Sequence, residues 1–577
     1  MRLEAPSGEL TVFANSPVLN AADPRYGGID PTGEADSAAA IALALEEAEE
    51  ISGTVNFNLV QGAVVLIPQG KYRLDTGLAI STGNNIALMG AGFGSTMLFT
   101  HEDIAMITLG DPTHADICRR LSVLNLHLCV GEVGDTAAAN SILTTGIKVH
   151  DVIYGRLQDL FITNFFNGID AYRMNTMTLD NLHIEQNQRT NAGGTGLALR
   201  GRPSGTPSSS GSNKISNIDI RGQSAAAGNW ATGILVRACD TLWAVNTHQQ
   251  YCNWSIVIGP DNTTFNKTLG DIMFTQNYAD ACNTGCVQIT GTSADDGFYG
   301  AMKFTSCRFT GGNGVGGGGA AYADYPVDVG VLMSASGVTN ELDLSFTDCT
   351  FKNGGVTFIR VQGTTASFSD IRSLTLMGNK FEDSRHDESG ATTKVNAEVQ
   401  SFVAVGNQHF ADYTDASPTY GVRCYQISPT SGQSALVVGD NFGLSNVTGS
   451  PVNITSTNGN KTTVLGNVLQ LQDRLAAVTA NDTFVIQPGY AIRGIYIVNT
   501  TANAVTTGIK IGTTSGATDV VASQAVGASA AFAIADASIL KRVFSTTADQ
   551  TLFIQTLGAW NSASLTIRFD LVNINSG

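Results

Sequence analysis

The chain has 577 residues, 43% hydrophobic and 14% charged, enough apolar material for large buried cores and too much for a disordered chain. Its net charge of −17 and sequence pI of about 4.8, with no lysine or arginine run, argue against a nucleic-acid partner. No apolar run reaches the roughly 18 residues of a membrane helix, and "MRLEAPSGEL" lacks the apolar stretch of a secretion signal, so a protein made in the cytoplasm without membrane insertion is expected.

The first predicted elements lie in "YGGIDPTGEADSAAAIALALEEAEE" (26–50), read as a tight turn followed by a helix from about 36 to 50. Strands come next in "VVLIPQGKYRL" (64–74) and "NIALMGAGFGSTML" (85–98). Beyond them, short apolar runs closed by Gly or Asn spell strands and turns. One phrase recurs: an apolar residue, two others, then an apolar residue, Cys or Asn, one more, then an apolar residue. It starts at Leu121, Leu157, Leu179, Ile215, Phe274, Phe304, Phe346, Leu376, Val438 and Val464, with weaker copies at Trp243 and Ala404. A ragged period of about 31 residues fits a solenoid with loops of varying length.

Inside the phrase, "LDLSFTDCTF" alternates through Leu342, Leu344 and Phe346, breaks at Thr347 and Asp348, and resumes with Cys349 and Phe351. Inward parity switches there, as at the corner of a β-helix. Cys307 and Cys349 stand where a small hydrophobe belongs, and Asn379, Asn407, Asn441 and Asn467 share their position as an expected side-chain ladder. The nine cysteines contain no CxxC pair and read as buried thiols rather than disulfides or a metal site. From about 473 the phrase stops, and roughly seven or eight alternating strands suggest a β-sandwich.

The block at 26–98 resembles the opening of pectin-lyase-like right-handed β-helices. Asp30, Gly33, Asp36, Ser37, Ala40 and Ile41 fill the frame of that family's Gly-Asp-Gly turn and capping helix, and the next two strands are similar to its own. Pro31, Glu34 and an insertion at "ISGTVNFNLVQG" depart from the pattern. The segment from "YAIRGIYIVNTTANAVTTGIKIGTTSGATDVV" through "LTIRFDLVNI" resembles carboxy-terminal sandwich domains of bacteriophage tail proteins. Together these features resemble a phage tailspike or capsule depolymerase. The resemblance implies an all-β chain: a leader (1–25), an N-terminal cap and first coils (26–100), a right-handed parallel β-helix (101–472) and a C-terminal β-sandwich for trimerisation or carbohydrate binding (473–577). It further implies a homotrimer on the virion tail, made in the host cytoplasm, that binds and cuts a capsular or O-antigen polysaccharide without a cofactor. Its short leader is expected either to dock on another tail protein or to mark a trimmed particle-binding domain.

The polygalacturonase motifs are missing, since no His precedes Gly and only one adjacent Asp pair occurs, which argues against a plant-pectin hydrolase. Glycoside hydrolysis asks for two carboxyls across the scissile bond. Counting four and six residues past the coil starts yields outward columns: His183 and Glu185, Asp219 and Arg221, Thr247 and Gln249, Tyr278 and Asp280, Arg308 and Thr310. Glu185 and Asp219 become diagonal neighbours about 8 Å apart at their attachment points, inside the roughly 6.5 to 9.5 Å of inverting glycosidases. They are the expected acid and base, with His183 and Arg221 as substrate contacts; the alternative is a pair of plain surface ion pairs. Asp295 and Asp296 in "SADDGFYG" form a rival catalytic pair, or else turn residues. Trp230, Trp243, Tyr251, Trp254 and Tyr278 are candidate stacking platforms for sugar rings, or core and subunit contacts. Three functions stand open: an endo-glycosidase in front, a polysaccharide lyase using His183 or His248 with Arg221, and a receptor-binding spike without chemistry.

Overall fold

The computed structural model describes residues 16–52, 62–131, 143–186, 193–201, 210–222, 230–259, 268–282, 284–289, 297–311, 327–329, 341–352, 358–361, 371–383, 393–411, 423–429, 434–443, 452–454, 461–465, 473–486, 490–542 and 549–573. They form two compact units: Met1–Thr375 with Asn396–Gln400, and Leu376–Val395 with Ser401–Gly577.

In the first unit the recurring phrase becomes stacked parallel strands, each bonded to the strand one coil before and one coil after. Thr178–Glu185 pairs on one side with Arg156–Thr163 and on the other with Asn213–Arg221. The pairing runs on through Cys239–Gln250, Thr268–Thr275, Gly297–Thr305 and Glu341–Thr347. One residue per rung points inward in register: Val123, Leu157, Leu179, Ile215, Ala244, Phe274, Phe304 and Phe346, all buried. The three phenylalanines stack at 5.5 and 5.0 Å between centroids, so apolar burial and ring stacking act along one column.

The parity switch has a backbone cause. Two residues after each inward residue the chain takes a left-handed conformation, at Asn125, Asp159, Asn181, Asn217, Asn246, Gln276, Ser306 and Asp348, with φ between 52° and 57°. Asn and Asp bear this best, because their short side chains bond locally. Here they bond between rungs: Asn181 Nδ2 donates to Asp159 at 2.6 Å, and Asn246 Nδ2 to Asn217 at 2.7 Å. This bend, rather than apolar spacing, sets the register, and it corrects the phrase in two places. The rung expected from Leu121 is in register from Val123, and the one expected from Trp243 from Ala244.

The N-terminal helix is Ala38–Ser52, entered through Asp36, whose carboxylate accepts the Ala38 N–H at 3.0 Å. Its buried face of Ala40, Ile41, Ala44, Leu45 and Ala48 lies against the strands Ala63–Ile67 and Leu78–Ile80. A short strand, Val18–Asn20, runs parallel to Ala63–Ile67, so strand pairing already involves residues ahead of 26.

In the second unit, parallel rungs pair Phe402–Val405 with Ala435–Val438, and these with Thr462–Leu465. The left-handed residue is now glycine, at Gly406 and Gly439, so Val437 rather than Val438 is the inward start. The ladder position therefore falls on Asp440, not Asn441. Asn379 donates to Asn407 at 3.0 Å, and the Asn407 N–H donates to Asp440 at 2.9 Å. Tyr425 also donates its hydroxyl to the buried Asp440 carboxylate. Asn467 lies outside the described residues. Beyond 473, eight strands form two four-stranded antiparallel sheets, and Phe484 of one stacks on Phe569 of the other at 4.2 Å.

Eight cysteines, including Cys307 and Cys349, are buried free thiols. Cys349 Sγ donates to the Phe304 carbonyl one rung away, and burial pushes its pKa up.

Candidate functional site

The outward column past the bends of the first unit reads, rung by rung, His127, Phe161, His183, Asp219, His248, Tyr278, Arg308. A second column, two residues further along each strand, carries Thr163, Glu185, Arg221, Gln250 and Asp280. Parallel pairing holds neighbours about 4.8 Å apart, so side chains that are 22 to 36 residues distant in sequence touch.

His183 joins the two acids. Its Nε2 is 3.0 Å from Glu185 Oε2 and its Nδ1 is 3.1 Å from Asp219 Oδ2, so one imidazole bridges both carboxylates. Arg221 closes on the same Asp219 oxygen at 2.7 Å. His248 Nδ1 stands 3.1 Å from Asp219 Oδ1 without hydrogen-bond alignment, leaving Oδ1 and His248 Nε2 buried with no hydrogen-bond partner. The site is half-buried: side-chain exposure is 31% for His183 and 25% for both acids.

Charge follows from these contacts. Burial lowers the His183 pKa, but the hydrogen bonds to Asp219 and Glu185 outweigh it and push the value up to about 9. Glu185 is held below its ordinary value, chiefly by its hydrogen bond to His183. Burial opposes ionisation of Asp219, yet His183, His248 and Arg221 hold its carboxyl well below the usual range. At neutral pH the protein therefore carries two carboxylates flanking an imidazolium.

Aromatic rings continue the column on both sides. Phe161 packs on His127 at 4.6 Å and on His183 at 4.7 Å. Beyond Asp219, Tyr278 stacks on His248 at 5.0 Å, and the exposed Arg308 guanidinium lies over Tyr278 at 4.9 Å. Another run of paired strands in the same unit repeats the trio His, Tyr, Arg on successive rungs as His150, Tyr172 and Arg200. There His150 stacks on Tyr172 at 5.4 Å, Arg200 bonds Asp170 at 2.7 Å, and buried Asp151 takes both His114 at 2.6 Å and Arg173 at 2.8 Å.

Of the residues singled out from sequence, His183, Glu185, Asp219, Arg221 and Tyr278 come together. The column expected to pass through Thr247 and Gln249 passes through His248 and Gln250 instead; Thr247 and Gln249 are buried core residues, because the bend falls at Asn246. Aligning Asn246 with Asn181 and Asn217 is the signal that would have placed His248, named only as a lyase candidate, in the column beside Asp219. The Trp cluster does not form one platform: Trp230 and Trp254 lie on paired strands, two positions out of register, and both pack within the protein. Trp230 is fully buried and donates its indole N–H to the Arg221 carbonyl at 3.0 Å, so it offers no ring face to a sugar. Trp243 is exposed ahead of the bend, aligned with Lys214 and Met273 rather than with Asp219. Tyr251 sits in a left-handed turn, and Trp254 packs on Ala198, Leu235 and Val257. Asp295 and Asp296 lie outside the described residues. Among the described residues, no group of three His, Cys, Asp or Glu side chains is arranged to hold a metal ion.

The rungs are those of a parallel β-helix. Solved structures of similar architecture include a tailspike protein mutant of E. coli bacteriophage HK620 in complex with a pentasaccharide, at 11% identity, covering 93% of each chain with a TM-score of 0.47. The A-module of Azotobacter vinelandii mannuronan C-5 epimerase AlgE4 matches at 11% identity over 77% of this chain and 99% of its own, TM-score 0.44. ORF18 of Geobacillus virus E2 matches at 13% identity over 91% and 78%, TM-score 0.31. No protein-family model and no curated protein matches the chain. At such low identity and TM-score, the functional reading rests on the chain's own residues.

Proposed function

We propose that the protein is a phage tailspike that binds a bacterial capsular or O-antigen polysaccharide, as a homotrimer, and cuts it by endo-glycosidic hydrolysis at Glu185 and Asp219. The observation that carries this is the single imidazole of His183 held between two outward carboxylates on adjacent rungs. Asp219, kept ionised by its neighbours, takes a proton from the water that attacks the anomeric carbon. As the glycosidic C–O bond breaks, the leaving oxygen takes a proton from Glu185, which draws it from His183 Nε2. His183 Nε2, the nitrogen left bare, regains a proton from solvent, and Asp219 releases its own to solvent, while Nδ1 keeps its proton throughout. One water is consumed, one bond is cleaved and the site ends as it began. The attachment points of the two acids are about 8 Å apart, compatible with the spacing of inverting enzymes, and inversion at the anomeric carbon is the expected outcome.

A second reading, β-elimination, draws on His248: its Nε2 has no hydrogen-bond partner and it lies between Asp219 and Tyr278, as a proton-abstracting base requires. Product analysis after incubation with polysaccharides from a panel of bacterial strains separates the readings. New reducing ends without an ultraviolet-absorbing unsaturated sugar mean hydrolysis, an unsaturated product means elimination, and intact glycan that remains bound means a receptor-binding spike.

A further inference from the structure

We infer that Arg308, laid over Tyr278, is a specificity subsite for a carboxylate-bearing sugar, so that the substrate is an acidic polysaccharide; this rests on the depolymerase reading. Arg308 is exposed and in the same outward column as Asp219, three rungs away. At about 4.8 Å per rung that separation is too long for the ring being cut, so Arg308 reads a neighbouring unit of the chain.

Its surroundings leave the charge available. Among the described residues Arg308 has no ion pair, and its guanidinium is fixed by stacking on Tyr278 at 4.9 Å. A cation held over the ring in this way spends none of its N–H donors on a protein acceptor among the described residues, and a guanidinium fork matches a planar carboxylate. Asp280, the acid of the adjacent rung, accepts from Gln250 Nε2 at 3.5 Å and makes no ion pair with Arg308. Lys352 occupies the diagonal position one rung further on. The equivalent arginine of the other His-Tyr-Arg stack, Arg200, is neutralised by Asp170 at 2.7 Å. In a chain with 49 acidic and 32 basic side chains, an arginine held in position without a counter-charge marks a place for an anion from outside.

The test uses the full chain and its Arg308→Gln and Arg308→Lys variants, which change an exposed side chain and leave the fold intact. Purified capsular and O-antigen polysaccharides are immobilised in native form and after chemical reduction of their carboxyl groups to alcohols, and binding is read by surface plasmon resonance. The expected result is native glycan bound at least about tenfold more tightly than its reduced form, the scale of one charge-assisted hydrogen-bond pair. Arg308→Gln should abolish that preference, and Arg308→Lys should keep part of it. Equal binding of native and reduced glycan by the wild-type protein, with cutting intact, overturns the acidic-sugar subsite and leaves the depolymerase reading standing. So does a preference that Arg308→Gln retains. Reduction spares phosphate and sulfate esters, so an anion preference that survives it overturns the carboxylate assignment. Failure to bind any glycan of the panel overturns both readings.

Discussion

His150, Tyr172 and Arg200 on one run of paired strands, and His248, Tyr278 and Arg308 on another, are the same three side chains on three successive rungs, yet their surroundings differ. In the first stack, His150 is nine-tenths buried, Arg200 is paired with Asp170, and Asp151 beside it is saturated by His114 and Arg173. In the second, Arg308 has no ion pair among the described residues, and Asp219, on the rung before His248, shares His183 with Glu185. Residue identity alone does not distinguish a structural stack from a ligand-facing one. Burial and the local count of opposite charges do, because a buried charge must be matched within the fold whereas an exposed one can be matched by a ligand.

The comparison breaks most visibly at Asp151. Asp151→Asn removes a buried carboxylate from the partly buried His114 and Arg173, and a loss of about 3 to 5 kcal/mol is expected in urea unfolding. The open site should answer in turnover instead. Glu185→Gln and Asp219→Asn are each expected to cut activity by at least about a hundredfold while polysaccharide binding persists, with a loss of urea stability smaller than that of Asp151→Asn because both acids are partly exposed. Asp295→Asn and Asp296→Asn, the rival pair, should leave cutting intact.

The two arginines sharpen the contrast at a smaller scale. Arg200→Gln strands Asp170 and should cost about 1 to 3 kcal/mol, whereas Arg308→Gln should stay within about 0.5 kcal/mol. pH separates the two regions as well. The His183 pKa is raised to about 9, so its contribution is complete below its ordinary 6.5 and declines as pH rises through 9. Glu185 and Asp219 are lowered, so theirs is present above their ordinary 4.5 and 3.8 and fades in acid. His150, driven mainly by burial down to about 4, works the other way: stability is lost as pH falls from 6.5 towards 4. Imidazole NMR titrations should find His183 still protonated at pH 7.5 and His150 neutral there.

Much of this was legible in the sequence where the phrase was strong. Leu179 and Ile215 head unambiguous copies, and the register they set brings Glu185, His183, Asp219 and Arg221 together. It failed where the phrase was weak: starting a rung at Trp243 slid the column by one residue and hid His248 behind Thr247. The tryptophans misled for a different reason: their spacing does not say which ring turns into the core, as Trp230 does, and which faces solvent, as Trp243 does. The bridging role of His183 was not legible, because strand register positions backbone atoms and says nothing of which nitrogen meets which carboxylate. The similar trio at His150 escaped notice because Thr145–His150, Asn167–Tyr172 and Thr195–Arg200 lie outside the repeated phrase.

The most direct test counts reducing ends released from native capsular and O-antigen polysaccharides by the wild-type protein and by Asp219→Asn, with ultraviolet absorbance followed in parallel. The expected result is release by the wild-type protein without any rise in absorbance, reduced at least about a hundredfold in the variant. Wild-type rates in Asp219→Asn, or a rise in absorbance that tracks cutting, would contradict hydrolysis at the His183-bridged carboxylates.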